Sequence, residues 1–563
     1  MALRLGDILV EKRIITPKEL EEALKEHKDK KEFLGQTLIR LGLITERRML
    51  QVLADQQGVA FVDLKSVEIE PAAVEKIPAK FAWHYKIMPV RLQGNILTIA
   101  VSNPFDVWPV DDLETNFGLR VEMVLAVSSD IEEMLKKHYG VGAETIERIL
   151  SETDAEQDRA GMEAREKVED LNQSSGADAS VVKLVNQIFQ QAIQDRATDI
   201  HFERSRDDLV LRYRVDGVLY DAQVSENIRY LYPAIVSRVK VMTNLDIVER
   251  RIPQDGRAKV RIGEKEYELR VSIIPTLHGE NIVVRILPTL MLFSLDNLGM
   301  AGEDRAILEK MLGRPHGIIF VTGPTGSGKT TTLYACLSRL NTREKKIITI
   351  EDPVEYELKN VSQIQVNPKV DLTFARALRS VLRHDPDIIM VGEVRDVETA
   401  RITIQTALTG HLVFSTLHTN NAAGGITRLL NMDIDPFLIS SSAELFMAQR
   451  LVRAICPECK EKMSVDEAFR ARYPEAEGIE AFYRGRGCPR CKETGYLGRV
   501  GIYEMLTMTP AIRKMVLDRA SSDQIMATAV ANGMRTLARS GWAKVKEGVT
   551  TPEEVRRVTS VEV

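Results

Sequence analysis

Ile318-Ile319-Phe320-Val321-Thr322-Gly323-Pro324-Thr325-Gly326-Ser327-Gly328-Lys329-Thr330-Thr331 is the stretch from which this 563-residue chain is best read. Residues 318–321 are a continuous apolar run, the pattern of a strand in a parallel sheet covered on both faces. Residues 323–330 fit G-x-x-x-x-G-K-S/T at every fixed position, and the run 331–340 that follows is helical. Glycines at these points let backbone N–H groups curl around a phosphate, and the following helix presents its positive end. Lys329 reaches the outer phosphates and Thr330 can ligate Mg2+. Gly323, Pro324, Thr325, Gly326, Ser327, Gly328, Lys329, Thr330 and Thr331 are therefore expected to hold a nucleotide. A chance glycine-rich turn would lack the strand before it and the helix after it.

Outward from this loop, further apolar runs at 347–350, 388–391 and 412–414 alternate with helical stretches, which predicts an α/β fold with a parallel sheet. Chemistry in such a sheet sits at the C-terminal ends of the strands. Glu393 ends one of these runs and is placed to orient or deprotonate an attacking water. Glu351, Asp352 and Glu355 follow the run 347–350 and are expected to reach the same cleft, with a structural role as the alternative for one or more of them. Farther on, Cys456-Pro-Glu-Cys459 and Cys488-Pro-Arg-Cys491 stand 28 residues apart. Two such knuckles suit a closed, tetrahedral Zn2+ site, with disulfides or free thiols as the alternative. Cys336, on the helix after the loop, reads as a small core residue.

With 76 Lys and Arg against 81 Asp and Glu, the chain has no basic excess of the kind that marks dedicated nucleic-acid binders. No secretory signal is readable, and the longest stretch free of charge, 402–427, is rich in polar residues, so a cytoplasmic location without a membrane span is expected. The first 56 residues repeat at an offset of 29, pairing Leu5 with Leu34, Gly6 with Gly35 and Leu9 with Leu38. Thr16 and Thr45 read as N-caps of the second helix in each copy. The order expected is a tandem-repeat helical domain at 1–60, a small α/β lobe at 61–145, an acidic linker at 146–178, an α+β domain at 179–290 and the main α/β domain at 291–563. The cysteine insertion occupies 453–499. The linker reading rests on nine acidic and three basic residues between Ser151 and Asp178, with little to bury.

The loop, IEDPVEY (350–356), LRHDPDIIMVGEVRDVETA (382–400) and TGHLVFSTLHTN (409–420) together resemble the ATPase family that powers type II secretion and type IV pilus assembly. The resemblance extends through ATDIHFE (197–203), RYRVDGVL (212–219), PQDGR (253–257) and RVSIIPTLHGE (270–280). It implies a RecA-like phosphate-loop core with a preceding α+β domain, a zinc-binding insertion, an N-terminal regulatory region and a homo-hexameric ring. It further implies ATP and Mg2+ as cofactors, with Arg270 and Arg285 contacting ATP from the preceding domain and Arg257, Arg212 and Arg214 as further candidates. His411 and His418 are expected near the γ-phosphate as sensors. Partners implied are inner-membrane platform and cytoplasmic-linker proteins, with recruitment to the inner face of the inner membrane. IEDPVEY and the TTTLY helix start lean towards type II secretion over pilus extension.

The N-terminal repeat resembles a paired motif that binds cyclic di-GMP in some of these ATPases. Arg4, Leu5, Gly6, Leu34, Gly35, Gly42 and Gln56 match it, whereas Arg13, His27 and Phe33 depart from it. Cyclic di-GMP binding and a helical adaptor that docks on a membrane partner both stand as readings. A different class, a DNA-translocating ring ATPase, also uses a phosphate loop; the four-cysteine insertion beside the histidine box and PQDGR favours secretion.

Overall fold

A computed structural model describes residues 5–30, 34–106, 108–140, 142–143, 145–146, 169–170, 179–206, 208–289, 293–464, 467–476 and 478–559. Arg4 and Phe33 of the repeat motif lie outside the described residues, as does most of the segment 146–178. The chain divides into two compact units, 1–289 and 290–563.

In the first unit, helices Leu5–Glu11 and Leu34–Arg40 are equivalent members of the repeat, and Pro17–Lys30 and Glu46–Gln57 start at the same offset. Thr16 and Glu19 form a reciprocal cap, and Thr45 accepts from the Arg48 amide. Leu9 and Leu38, at matching positions, are both fully buried. A three-stranded sheet follows, with Met88–Gln93 antiparallel and Arg120–Leu125 parallel to the central Ile96–Val101. The rest of the unit is a seven-stranded sheet in the order 169–170, 254–262, 265–276, 279–288, 197–204, 209–215, 218–221. Helices Ala179–Gln194 and Ile228–Met242 supply Leu184, Ile188, Ile235 and Val239 to a core with Ile200, Leu269, Ile282 and Val284. Alternation along these strands leaves the other residues of each on the second face.

The second unit is built on a seven-stranded sheet in the order 362–365, 347–351, 388–391, 412–417, 317–322, 443–455, 496–507. Every neighbouring pair is parallel except the last, where Ala443–Ile455 and Tyr496–Thr507 run antiparallel. The strands Gly317–Thr322, Ile347–Glu351, Ile388–Val391 and Leu412–Leu417 are buried at every position, as their apolar runs require. This is the α/β phosphate-loop core expected from sequence. Cys336 is 1% exposed, and burial pushes its thiol up to about 12. No helix among the described residues is long and apolar enough to cross a membrane.

Candidate active site

The glycine-rich loop leaves the C-terminal end of Gly317–Thr322 and closes onto helix Lys329–Leu340. Gly328 sits at φ +88°, and a Cβ there would lie 2.8 Å from the Gln449 side-chain amide; one on Gly323 would lie 2.7 Å from the Gln449 carbonyl. Two of the three loop glycines are thus needed both for backbone conformation and for space. Lys329 Nζ donates to the carbonyls of Gly323 (2.9 Å) and Pro324 (3.0 Å), folded over the loop where a phosphate would otherwise satisfy it. Burial lowers its pKa to about 8; Glu393 opposes that shift and Arg450 adds to it. Ser327 Oγ is buried and has no hydrogen-bond partner among the described residues, which fits a site shaped for an anion's oxygens.

Three adjacent parallel strands end at this site. Between the strand of the loop and that of Glu393 runs Leu412–Leu417, and His418 follows it directly. His418 Nε2 lies 3.5 Å from Glu393 Oε2, and Glu393 is 8% exposed. Its backbone is fixed from the neighbouring strand, where Thr416 Oγ1 donates to the Gly392 carbonyl and the Val394 amide donates to Thr416. Arg395, not anticipated from sequence, forms an ion pair with Glu393, its Nε 2.6 Å from Glu393 Oε2. Two further residues were not legible as site residues. Gln449 Oε1 accepts from Thr332 Oγ1 (2.8 Å), and Arg450 donates to the Asn420 carbonyl (2.7 Å), both from the strand beside the loop.

The structure corrects one expectation. His411 precedes the same strand that His418 follows, and the Gly317 amide donates to its carbonyl, at the end of the sheet opposite the loop. Six residues at about 3.3 Å each put the two histidines roughly 20 Å apart, and His411 Nδ1 is instead engaged with Thr406 and Thr409. Glu351 ends its strand beside Gly392, is 4% exposed and accepts from Tyr334, Thr349 and Gln363. Asp352 is exposed and Glu355 half-buried in the segment after that strand. Thr330 and Thr331 are half-buried in the first turn of the helix.

In the first unit, the sheet face turned away from its helices carries a row of charge. Arg257 pairs with Arg270, Arg270 with Arg285, Arg285 with Asp199, and Asp199 with Arg214, so all five project to one side. Arg285 donates to Asp199 at 3.0 Å and Arg270 to Glu268 at 3.1 Å. Arg212 stands in the next row on that face and pairs with Glu203. Asp199 and Glu268 do not outweigh the four arginines of this row.

Cys456 leaves the end of Ala443–Ile455, and Cys488 and Cys491 precede Tyr496–Thr507, so the knuckles close one antiparallel pair. All four thiols are free, and their sulfurs lie within 4.8 Å of one another, with separations of 3.6 to 3.8 Å between several pairs. Four sulfurs about 2.3 Å from a tetrahedral Zn2+ stand about 3.8 Å apart, so the donor set fits that ion. The amides of Cys488 and Gly495 donate to Cys491 Sγ, as they would to a thiolate ligand.

Residues 174–557 match the family model described as type II/IV secretion system protein. The chain belongs to this family. Residues 57–145 match a second model, the MshEN domain. Among curated relatives of this secretion ATPase family, the chain is 41% identical to the type IV pilus assembly ATPase PilB of Myxococcus xanthus, covering 99% of this chain and 98% of that one. It is also 41% identical to the type II secretion system protein E of Xanthomonas campestris, again over 99% and 98% of the two chains. The type II secretion system ATPase E of Vibrio cholerae is 44% identical over 78% of this chain and 87% of its own.

Proposed function

We propose that the chain hydrolyses ATP to ADP and phosphate at residues 323–331 and that this work drives pseudopilus assembly in a type II secretion machine. The observation that carries the chemistry is the convergence of Lys329, Glu393 and His418 at the ends of three neighbouring parallel strands. Lys329 and the loop amides bind the outer phosphates, and Thr330 would hold Mg2+, which neutralises phosphate charge when bound. Glu393 positions the attacking water and takes its proton, while Arg270 and Arg285, with Arg257 as a further candidate, are assigned to charge on the transferring phosphoryl group. The homo-hexamer, the membrane platform, a place at the cytoplasmic face of the inner membrane and structural Zn2+ at Cys456, Cys459, Cys488 and Cys491 belong to the same reading. A second machine, type IV pilus extension, is favoured equally by the full-length likeness to PilB; loss of secretion against loss of pili in a deletion strain separates the two.

Lys329→Ala is the direct test of the ATP reading. It is expected to weaken nucleotide binding and abolish phosphate release, measured by a fluorescent ATP analogue and by colorimetry; a variant that binds and turns over normally would sink the assignment. The motif residues of the repeat make cyclic di-GMP a ligand to test at the N-terminal region. Calorimetry of the full chain should then show saturable heat, and none at high ligand concentration leaves the docking-adaptor reading.

A further inference from the structure

Arg450 is 7% exposed, on the strand beside the loop, and its two terminal nitrogens go to two different places. Nη1 donates to the Gln449 carbonyl (3.0 Å), the group against which Gly323 is packed. Nη2 donates to the Asn420 carbonyl (2.7 Å), two residues beyond His418. Asn421 in turn caps helix Ala422–Asn431 through the Gly424 amide (2.8 Å), so the segment that follows His418 is held at residues 420 and 421. We propose that Arg450 is a positioning residue that ties the state of the phosphate loop to the placement of His418 beside Glu393.

A guanidinium is planar and presents its donors in a fixed fork, so two carbonyls bound to it move together. A displacement of Gly323 on phosphate entry is passed to Gln449 and Arg450, and from there to Asn420 and His418, which stands 3.5 Å from the carboxylate proposed as base. Arg450 also adds its charge to the site, where burial and this charge lower Lys329 against the pull of Glu393. Among the described residues, His418 and Arg395 are the charged or titratable groups that pair with Glu393. A lysine at 450 would retain the charge and lose the fork. The inference rests on the ATP reading of residues 323–331.

The test is a set of full-length variants assayed for phosphate release and for binding of a fluorescent ATP analogue across pH 8. In Arg450→Lys, kcat should fall about tenfold or more with KM within about threefold, since positioning and not binding is lost. Wild-type affinity should fall as pH rises through about 8, where Lys329 loses its proton; Arg450→Lys should keep that fall, and Arg450→Met should move it to higher pH. Combined with His418→Ala, Arg450→Lys should cost no more than the slower single variant, because both act through one contact. Multiplicative losses in the double variant, or wild-type kcat in Arg450→Lys, would overturn the proposal, and if Arg450→Met does not fold the lysine cycle still decides. Retained binding in Lys329→Ala would instead remove the ATP reading itself.

Discussion

Glu393→Gln is expected to lower ATP turnover roughly 10²- to 10⁴-fold, the range removed with a general base, while leaving nucleotide bound. The replacement is nearly isosteric, so the contacts that fix residues 392–394 to the strand Leu412–Leu417 persist. What disappears is a negative charge within the field of Lys329. Glu393 raises the lysine's pKa against burial, so the variant's lysine should deprotonate below the wild-type value of about 8. Binding must therefore be compared well below pH 8, where Lys329 is charged in both proteins; above it, Glu393→Gln should also bind ATP more weakly. Phosphate release with binding measured in parallel checks both halves. Turnover within a few-fold of wild type at saturating ATP would show that another group handles the water.

Cys459→Ser is the second large effect. Structural Zn2+ contributes binding free energy of about 10–16 kcal/mol in small domains at neutral pH, and that energy is felt as folding energy. Cys459 is 4% exposed and packed with Cys456 and Cys491, so its loss leaves three ligands around a buried, unfilled position. The expected result is loss of one equivalent of zinc by elemental analysis. Proteolysis should then become rapid within residues 456–495, where the hairpin of Lys460–Met463 and Phe482–Gly485 depends on the knuckles for its closure. A strong chelator should reproduce this in the wild type. A zinc-free variant as protease-resistant as the wild type would mean that the sulfurs merely pack.

What could be read from sequence was local. The loop, the apolar strands, the Thr caps and the cysteine pairs each declare themselves within a dozen residues, because backbone conformation and ligand spacing are short-range requirements. The end of a sheet at which a side chain emerges is not local. His411 and His418 stand in one motif, yet six strand residues separate them, and only the full length of Leu412–Leu417 shows that they leave opposite ends. The partners of Glu351 were hidden for a related reason: the last residue of a strand points into a layer or out of it according to the pleat, and Tyr334 and Gln363 are drawn to it from elsewhere in the chain. Gln449 and Arg450 carried no motif, since their role comes from a strand pairing made across more than a hundred residues.

The strand Ala443–Ile455 has a mechanical consequence. Near its middle lie Gln449 and Arg450, against the phosphate loop, and at its end begins the first cysteine knuckle. It is braced along its length by Tyr496–Thr507, so it resists bending as a beam does. Six residues from Arg450 to Cys456 span about 20 Å of extended chain. A load applied at the knuckle and a change of occupancy at the loop therefore act on one stiff member, and whatever grips the knuckle has a handle on the nucleotide.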